Sequence, residues 1–339
     1  MDIRENRLTY FRDVEHVNPK IFYHYTSLDA LFNIVTSKTF RLTSLRSSND
    51  KKELSYSCDE FLTTFRSIFE NELDANARQC FQKMINSVDE DPLIFNKECK
   101  INRASYALCL SNKRDNLTHW DRYAANCAGV CIGFNAAAIN ILLRRTDNSI
   151  FGTSLFEIAK ALYTKEQIAQ DIKNSITYFA NILPKRANST GEINLYELIE
   201  KNSFAFMVSM YRKVKKFRKN GSFVDEDEVR LYYEAESIPD TREFIKSICK
   251  NLDNEGDHFS KSFDALVKDL KIDEEHFMIS RLGIRSYHDL CLDKIWGSGL
   301  IPEIILGPMC VQNRAELLCF LRDNGLGDTK VSSSKVPIR

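Results

Sequence analysis

Short stretches with strand character are spaced irregularly among helical stretches, and this spacing limits the folds that the chain can adopt. Aromatic and β-branched residues favour extended backbone, whereas apolar residues at every third or fourth position favour an amphipathic helix. A regular alternation of the two would predict a doubly wound parallel sheet, and no such alternation occurs. The sequence therefore predicts an α+β fold. The strand-like stretches are residues 21–25, 39–45, 104–111, 129–134, 222–237, 276–283, 302–307 and 330–339.

The densest helical pattern forms one block between strand-like stretches. It covers residues 165–219 and is expected to break near Pro184 and Gly191, because proline and glycine interrupt helices. Strand character resumes after the block. We therefore predict a single domain over residues 1–339, with a helical insertion or cap at residues 160–218.

Charge and apolar content exclude several classes of protein. Lys plus Arg and Asp plus Glu both number 47, so the net charge is zero, and 43% of the residues are hydrophobic. This balance argues against a dominant nucleic-acid or membrane surface. No apolar run approaches the roughly 18 residues of a membrane span. The charged N-terminal stretch lacks the apolar segment of a signal peptide, so we expect a cytoplasmic protein.

The ten cysteines favour a reduced protein without a metal centre. Most of them lie among apolar neighbours, where cysteine acts as a small hydrophobic side chain. Cys127 and Cys131 are four residues apart, but no second pair follows at the spacing of a zinc site. We therefore expect no metal.

A polar pair interrupts the first strand-like stretch. His24 and Thr26 should lie on one face of the strand and Tyr25 on the other, because side chains alternate along extended backbone. A histidine hydrogen-bonded at a strand end is one explanation, and a binding residue is the alternative. Further along, Asn49 and Asp50 fit either a helix cap or the edge of a cleft.

Two further clusters combine aromatic and charged residues. Trp120 and Tyr123 are three residues apart, which places both on one helical face, in the core or against a ligand. Glu226, Glu228 and Arg230 alternate with Val229 and Leu231, so on a strand they would share one face. A solvated edge with Glu–Arg pairs is the simpler explanation of the second cluster.

These clusters together resemble a bacterial family, the domain of unknown function 2971 (DUF2971). The resemblance spans nearly the whole chain and is weakest near residues 160–215 and 240–270. The matching elements are "HYT" at residues 24–26, Asn49–Asp50 with Glu53, residues 120–134 with their "IGF", residues 223–230, "IPEIILGP" at residues 301–308, and "SKVPIR" at residues 334–339.

The family is in turn distantly similar to the ADP-ribosyltransferase superfamily. That similarity implies a central mixed or antiparallel sheet and NAD as a substrate. It implies that His24 holds a ribose of NAD and that Glu226 and Glu228 form a Glu-x-Glu pair. Tyr123 and Ser44 are both possible members of the central serine or tyrosine motif of the superfamily.

The chemistry of NAD cleavage gives these residues roles. Loss of nicotinamide develops positive charge on the ribose, as in glycoside hydrolysis. Glu228 is expected to stabilise that charge, and Glu226 to receive a proton from the acceptor. Arg230 is expected to support the carboxylates or to bind the pyrophosphate.

The remaining expected contacts to NAD are of two kinds. His24 and Thr26 would bind ribose hydroxyls, and Trp120 or Tyr123 would stack on nicotinamide. The expected NAD-binding set comprises His24, Tyr25, Thr26, Asn49, Trp120, Tyr123 and Arg230.

The sequence therefore predicts an NAD-dependent ADP-ribosyltransferase or NAD glycohydrolase with a protein or nucleic-acid acceptor. By analogy alone, such a protein is a bacterial toxin or an anti-phage defence effector. One alternative is a non-enzymatic ligand-sensing or protein-interaction module on the same fold. Another is a nucleic-acid-acting protein, which the neutral net charge disfavours.

Overall fold

The computed structural model of the protein describes most of the chain from residue 21 to residue 337. The described ranges are residues 21–48, 56–71, 104–148, 153–190, 210–236, 253–280, 283–297 and 299–337, with a few short pieces between them. The chain divides into two compact units. The first comprises residues 1–47, 104–160 and 225–339, and the second comprises residues 48–103 and 161–224.

The described chain contains strands and helices in irregular order, which confirms the predicted α+β class. The strands are β1 (Ile21–Thr26), β2 (Thr39–Ser44), β3 (Ser105–Ser111), β4 (Val130–Asn135), β5 (Asp147–Asn148), β6 (Thr153–Ser154), β7 (Phe156–Lys160), β8 (Glu228–Glu234), β9 (Glu275–Ser280), β10 (Gly283–Cys291), β11 (Glu303–Leu306) and β12 (Lys330–Ser333). The helices are α1 (Leu28–Ser37), α2 (Cys58–Asn71), α3 (Leu117–Tyr123), α4 (Ala136–Thr146), α5 (Lys165–Thr190), α6 (Asp253–Leu270) and α7 (Arg314–Asp323).

A ten-stranded sheet organises the first unit. Its strands follow the order β12-β11-β4-β1-β3-β2-β10-β9, and β8 pairs with both β3 and β7. The pairing of β11 with β12 is parallel, and the other pairings are antiparallel. The sheet is therefore mixed.

The sheet forks at β3. One edge of β3 pairs with β8 along the whole strand. On its other edge, Ser111 pairs with Tyr23 of β1, whereas Ala107 and Tyr106 pair with Thr43 and Ser44 of β2. The middle of β3 therefore lies where β1 and β2 separate.

The two faces of the sheet differ in composition. One face belongs to the large core and carries Phe22, Ile132, Leu110 and Leu231. The opposite face carries a smaller cluster in which Tyr23, Tyr25 and Cys131 pack with Trp120 and Ile305. Alternation along each strand fixes which residues join which face.

Glycine allows the chain to pack closely where β4 begins. A Cβ atom on Gly129 would lie 2.1 Å from the backbone oxygen of Thr26. A Cβ atom on Gly307 would lie 2.3 Å from the backbone oxygen of Cys127. The Gly307 amide donates to the Gly129 oxygen at 2.9 Å, so the two segments are joined at their point of closest approach. No larger residue fits either position without moving backbone.

The second unit is helical in its described part. It contains α2, α5 and a helical stretch at residues 210–217. The Tyr211 hydroxyl donates to the backbone oxygen of Tyr56 at 2.7 Å. Nζ of Lys213 lies 3.0 Å from Oδ1 of Asp171, so the two side chains form an ion pair. The predicted helical block at residues 160–218 corresponds to one part of this unit, and residues 48–103 form the other part.

Local details depart from the sequence predictions in two places. Helix α5 continues past Pro184 to Thr190, so the predicted break does not occur there, although an interior proline costs a helix about 3 kcal/mol. Ser27 caps α1 by accepting from the Ala30 amide at 3.1 Å. Strand β8 begins at Glu228, since residues 221–226 form a 3₁₀ helix. Glu226 is therefore not on the strand, contrary to the prediction.

Membrane insertion by a helix finds no support in the described residues. None of their helices combines the length and the apolar character that a membrane span requires.

Replacement of Gly129 by alanine tests the close approach at the start of β4. The added methyl group would overlap the Thr26 oxygen, so we expect Gly129→Ala to lower the free energy of unfolding by about 2–4 kcal/mol. Chemical denaturation followed by circular dichroism measures the change. Gly327→Ala is the control, since its nearest neighbour would lie 3.7 Å away. Equal denaturation midpoints for Gly129→Ala and Gly327→Ala would contradict the close packing of Gly129 against the Thr26 oxygen.

Candidate functional site

The turn after β3 and the start of β8 are joined by hydrogen bonds. The Ser111 hydroxyl donates to the backbone oxygen of Glu226 at 2.7 Å. The Asn112 amide donates to the backbone oxygen of Asp227 at 3.2 Å. Ser111 is also the cross-strand partner of Glu228. These contacts fix the position of residues 226–228 relative to the centre of the sheet.

The side chain of Glu226 lies just below the surface and contacts α3. Its residue is only 4% exposed. The Tyr123 hydroxyl donates to Oε1 of Glu226, and Nη1 of Arg122 lies 3.8 Å from the same oxygen. The Arg122 side chain is 48% exposed, so the carboxylate has a charged neighbour at the protein surface. We call Glu226, Tyr123, Arg122 and His119 the Glu226 cluster.

His119 completes this cluster from the first turn of α3. Its Nε2 lies 3.1 Å from the backbone oxygen of Glu226, and its Nδ1 lies 2.9 Å from Oδ1 of Asn116. The same Asn116 oxygen caps α3 by accepting from the His119 amide at 3.2 Å. Both ring nitrogens thus face oxygens. Burial nevertheless lowers the pKa of His119, against the opposing effect of the Glu226 carbonyl and carboxylate.

A backbone conformation that is rare for non-glycine residues separates the two glutamates. Asp227 has φ of 40°, in the left-handed region that aspartate tolerates better than most residues. The chain leaves the 3₁₀ helix here and enters β8. Glu226 and Glu228 consequently have different surroundings, although two residues on one strand would share a face.

Glu228 and Arg230 form a buried ion pair on β8. Nε of Arg230 donates to Oε1 of Glu228 at 2.8 Å, and Nη2 lies 3.4 Å from Oε2. Their side chains are 3% and 0% exposed. The prediction that these two residues share a strand face is confirmed. A pair withdrawn from water in this way requires every charged atom to be well solvated by protein groups.

Tyr25 and Trp120 support the turn that carries the cluster. The Tyr25 hydroxyl donates to the Lys113 oxygen at 2.8 Å and accepts from the Asn116 amide at 3.0 Å. Its ring meets the Trp120 ring at a centroid distance of 4.9 Å and the His119 ring at 4.8 Å. Burial raises the pKa of Tyr25. Tyr25 and Trp120, two of the three aromatic residues in the predicted NAD-binding set, are therefore buried in this arrangement.

Asp115 ties the same turn to a distant part of the chain. Its carboxylate accepts from Trp120 Nε1 at 2.7 Å, from the Ser334 hydroxyl at 2.6 Å and from the Lys335 amide at 2.8 Å. Burial acts to raise the pKa of Asp115, but the three hydrogen bonds outweigh it and leave the pKa below its ordinary value. The "SK" element of the sequence thus has a structural role.

His24 lies on the opposite face of the sheet. Ser111 is the cross-strand partner of both Tyr23 and Glu228, so the side chains of all three lie on one face of the sheet. His24 is the next residue after Tyr23 in β1, and its side chain therefore lies on the other face. His24 pairs with Ile132, a residue of the large core. The sheet therefore separates His24 from the glutamates, and Thr26 lies on the same face as His24.

The His24 ring occupies the fork between β1 and β2. Its Nδ1 lies 3.0 Å from the backbone oxygen of Cys109, in the middle of β3. A carbonyl only accepts, so Nδ1 carries the hydrogen. Burial lowers the pKa of His24, partly offset by this hydrogen bond, and the neutral ring then has Nε2 as an acceptor.

The structure therefore brings together only part of the predicted site. Tyr123 meets Glu226 and Arg230 meets Glu228, whereas His24 and Thr26 lie across the sheet. Ser44 in β2 is the cross-strand partner of Tyr106 in β3, and it is outside the Glu226 cluster. Asn49, Asp50 and Glu53 lie outside the described residues.

Sequence reasoning missed several members of the site. His119 and Arg122 are not among the residues that the sequence predicts for the site, yet both contact Glu226. Asn116, three residues before His119, is a recognisable helix cap that could have placed His119 in the first turn of α3. Among the described residues, no group of three or more His, Cys, Asp or Glu side chains has an arrangement that could hold a metal ion.

Comparison with protein families supports one part of the resemblance. The model of the family described as "Protein of unknown function (DUF2971)" matches residues 119–231, about a third of the chain. This stretch begins at His119 and ends after Arg230, so it contains the whole Glu226 cluster and the buried ion pair. The suspected similarity to DUF2971 is confirmed over these residues. No curated protein and no solved structure matches the chain.

The buried ion pair can be tested by a double-mutant cycle. Glu228→Gln removes the carboxylate that pairs with Arg230, and Arg230→Met removes the guanidinium that pairs with Glu228. We expect each change to lower the free energy of unfolding by about 3–5 kcal/mol. Glu228→Gln combined with Arg230→Met should cost less than the sum, because the two residues are in contact. Additive losses in urea denaturation would show that the pair is not coupled.

The contacts of Asp115 predict a dependence of stability on pH. Its pKa is lower in the folded protein than the ordinary value of 3.8. A group of this kind adds stability above its unfolded pKa, and that stability is lost as the pH falls below it. We expect Asp115→Asn to reduce the melting temperature at pH 7 and to flatten its fall between about pH 4 and pH 2. Asp323→Asn, at a side chain 71% exposed, is the control and should retain the wild-type slope.

Proposed function

We propose that the protein cleaves NAD at the bond between nicotinamide and ribose, and that Glu226 is the carboxylate that acts on the ribose. The proposal rests on the Glu226 cluster. A nearly buried carboxylate is oriented by a tyrosine hydroxyl, has a half-exposed arginine beside it, and lies at a bend held in a rare backbone conformation. Such combinations are more frequent at functional sites than elsewhere.

The reaction class follows from this set of groups. When the bond to nicotinamide breaks, its electron pair leaves with nicotinamide and positive charge develops on the ribose. A fixed carboxylate stabilises that charge more effectively than water does, because it needs no reorientation. Water or an acceptor oxygen then attacks the ribose carbon, and the proton that it loses passes to Glu226.

Arg122 and Tyr123 would supply the remaining contacts near the reacting bond. The Arg122 guanidinium is 3.8 Å from the carboxylate and half exposed, so it can bind the pyrophosphate of NAD while it remains close to Glu226. Tyr123 holds the orientation of the carboxylate through its hydroxyl, and its aromatic ring, which is partly exposed, is of the kind that stacks on nicotinamide.

Glu228 and Arg230 have a positioning role in this proposal. Their charges are used in the buried pair, which fixes the first residues of β8. Glu226 precedes this strand in the sequence, with Asp227 between them. A rigid start of β8 therefore limits the movement of the reacting carboxylate, as an active site requires.

The wider resemblance to ADP-ribosyltransferases is part of the same proposal. It implies transfer of ADP-ribose to a protein or nucleic acid, and a role as a toxin or an anti-phage effector by analogy. The forked, mostly antiparallel sheet is compatible with an ADP-ribosyltransferase-like fold. The position of His24 across the sheet departs from the expected pairing of histidine and glutamate around one ribose.

Glutamine at position 226 tests the proposal directly. Glu226→Gln keeps the shape of the side chain and removes the charge, so we expect release of nicotinamide from NAD to fall about 100-fold or more, with the fold retained. Tyr123→Phe should reduce release less, by about 10-fold, because the carboxylate remains. Glu274→Gln is the control, at a side chain 80% exposed, and should behave as wild type. Circular dichroism confirms folding in each case.

His24 distinguishes this arrangement from the one that the resemblance implies. Since His24 is across the sheet from Glu226, His24→Ala should leave release of nicotinamide within about 3-fold of wild type. A loss comparable to that of Glu226→Gln, in a variant that remains folded, would assign the ribose to His24 and contradict the site proposed.

A ligand-binding module without catalysis is the second candidate, and one observation favours it. His24 has Nε2 available as an acceptor at the fork, away from both glutamates. A ligand hydroxyl could bind there, on the face of the sheet opposite Glu228. Calorimetric binding of NAD that His24→Ala weakens, together with no nicotinamide release by wild type, would establish the module and exclude the enzyme.

A further inference from the structure

His288 is a buried histidine on β10 that the proposed reaction does not use. The residue is 3% exposed, and its cross-strand partners are Leu42 on β2 and Glu275 on β9. Leu290, two residues further on the same face, is fully buried in the large core. His288 is therefore a titratable side chain at the point where the hairpin of β9 and β10 enters the core.

The two ring nitrogens of His288 have different surroundings. Nδ1 lies 2.7 Å from the backbone oxygen of Ile272, just before β9. A carbonyl only accepts, so Nδ1 carries the hydrogen. Nε2 is buried and has no hydrogen-bond partner among the described residues. The neutral ring suits this arrangement, because a buried nitrogen lone pair without a partner costs less than a buried charged N–H without one.

Two tyrosine rings pack against the imidazole ring. The centre of the Tyr106 ring on β3 lies 4.5 Å from the centre of the His288 ring, at an interplanar angle of 81°. The Tyr233 ring on β8 lies 5.2 Å away, at 69°. Tyr106 and Tyr233 are themselves cross-strand partners. His288 thus joins the hairpin to two strands of the central sheet.

The charged groups that act on His288 lie on β9 and just before it. The Ile272 carbonyl and the carboxylates of Glu275 and Asp273 raise the pKa of His288, and His276 lowers it. Burial is the largest influence, and it leaves the pKa below the ordinary value of 6.5. The ring is therefore neutral at pH 7 and takes up a proton only in more acidic solution.

The carboxylate opposite His288 is already engaged. Oε1 of Glu275 accepts from the Tyr106 hydroxyl at 2.6 Å. Hydrogen bonds from Tyr106 and Ser286 hold the pKa of Glu275 below its ordinary value. The contact with Tyr106 joins β9 to β3, two strands that are not neighbours in the described sheet. A movement of Glu275 towards Nε2 of His288 would weaken this contact.

The part of the hairpin beyond His288 has little packing to hold it. In the described sheet, β10 pairs with β2 at Tyr287–Cys291. Further out, on the face that His288 shares, Phe277 is 67% exposed, Ile279 is 88% exposed and Ile284 is 74% exposed. Segments with few buried contacts open at a lower free-energy cost than the core does. The contacts of His288 are therefore important for holding the hairpin in place.

We propose that His288 makes the hairpin sensitive to pH, so that β9 and β10 loosen from the rest of the sheet when Nε2 takes up a proton. A charged N–H without an acceptor is unfavourable between the two tyrosine rings. Either Glu275 leaves Tyr106 to meet it, or the imidazolium moves towards water. Each movement weakens a contact between the hairpin and the core.

The direction of the response follows from the burial of His288. A histidine that is held neutral in the folded protein adds stability above its unfolded pKa. That stability is lost as the pH falls below about 6.5. The hairpin should therefore loosen on mild acidification. The response does not depend on NAD cleavage.

Hydrogen exchange followed by mass spectrometry shows where the protein loosens. Exchange is measured at about pH 7.5 and about pH 5 and corrected for the intrinsic effect of pH on amide exchange. We expect the protection of β9 and β10 to fall about 5-fold or more at pH 5, relative to that of β4 and β11.

His288→Asn removes the titrating atom and keeps a donor. The asparagine amide can take the place of Nδ1 and donate to the Ile272 oxygen, but it does not titrate. Protection of β9 and β10, relative to β4, should then be the same at both pH values. His276→Asn is the matched control on β9, at a side chain 39% exposed, and it should keep the wild-type response.

The titration of His288 is measured separately by NMR. The chain has six histidines, and the ring signal that His288→Asn removes identifies His288. Its midpoint should lie below pH 6.5. Glu275→Gln should lower the midpoint further, because that carboxylate favours the charged ring.

Three results would overturn the proposal. The first is a His288 midpoint at or above pH 6.5. The second is exchange that does not change with pH in β9 and β10, or that rises equally in β4, since a uniform rise indicates loosening of the whole protein. The third is a pH response that His288→Asn retains. Should His288→Asn not fold, the wild-type exchange and the change in midpoint on Glu275→Gln decide the question, with His288 then being the ring signal that this substitution moves.

Discussion

The position of β3 determines most of the arrangement in the first unit. Its one edge is fully paired with β8, and its other edge is shared between β1 and β2. Because pairing also fixes the face to which each side chain points, β3 assigns Tyr23 and Glu228 to one side and His24 to the other. Any catalytic proposal for this protein must accept that assignment. It is the reason that the site proposed here is built around Glu226 and α3 instead of around His24.

Residues with regular periodicity were predictable from the sequence. Alternation placed His24 and Thr26 opposite Tyr25, and it placed Glu228 with Arg230 on one face of β8. The cap of α7 follows a similarly local rule, because the Asn313 side chain accepts from the amides of the first helical turn. These features depend on residues that are close together in the sequence, and they can therefore be predicted from it.

The errors arose where structure depends on distant contacts or on one unusual residue. The alternation of glutamates continues from Glu228 back to Glu226, yet the chain turns at Asp227, and nothing in the pattern reveals φ of 40° there. The fork at β3 results from pairings between strands that are far apart in sequence. The separation of His24 from Glu228 follows from that fork and could not be derived from either motif alone.

The hydrogen bonds of Asp115 have a consequence for the order in which the protein can form. Asp115 and Ser334 are 219 residues apart in the sequence, and the contact secures the turn that leads into α3. During synthesis the ribosome releases the helix bearing Tyr123 and the bend bearing Glu226 long before it releases Ser334. On a nascent chain the turn before α3 therefore lacks its contacts with Ser334 and Lys335 until this late segment has emerged. A partly made protein would carry the residues of the cluster and the contacts of Tyr25 and Ser111, but not this last anchor.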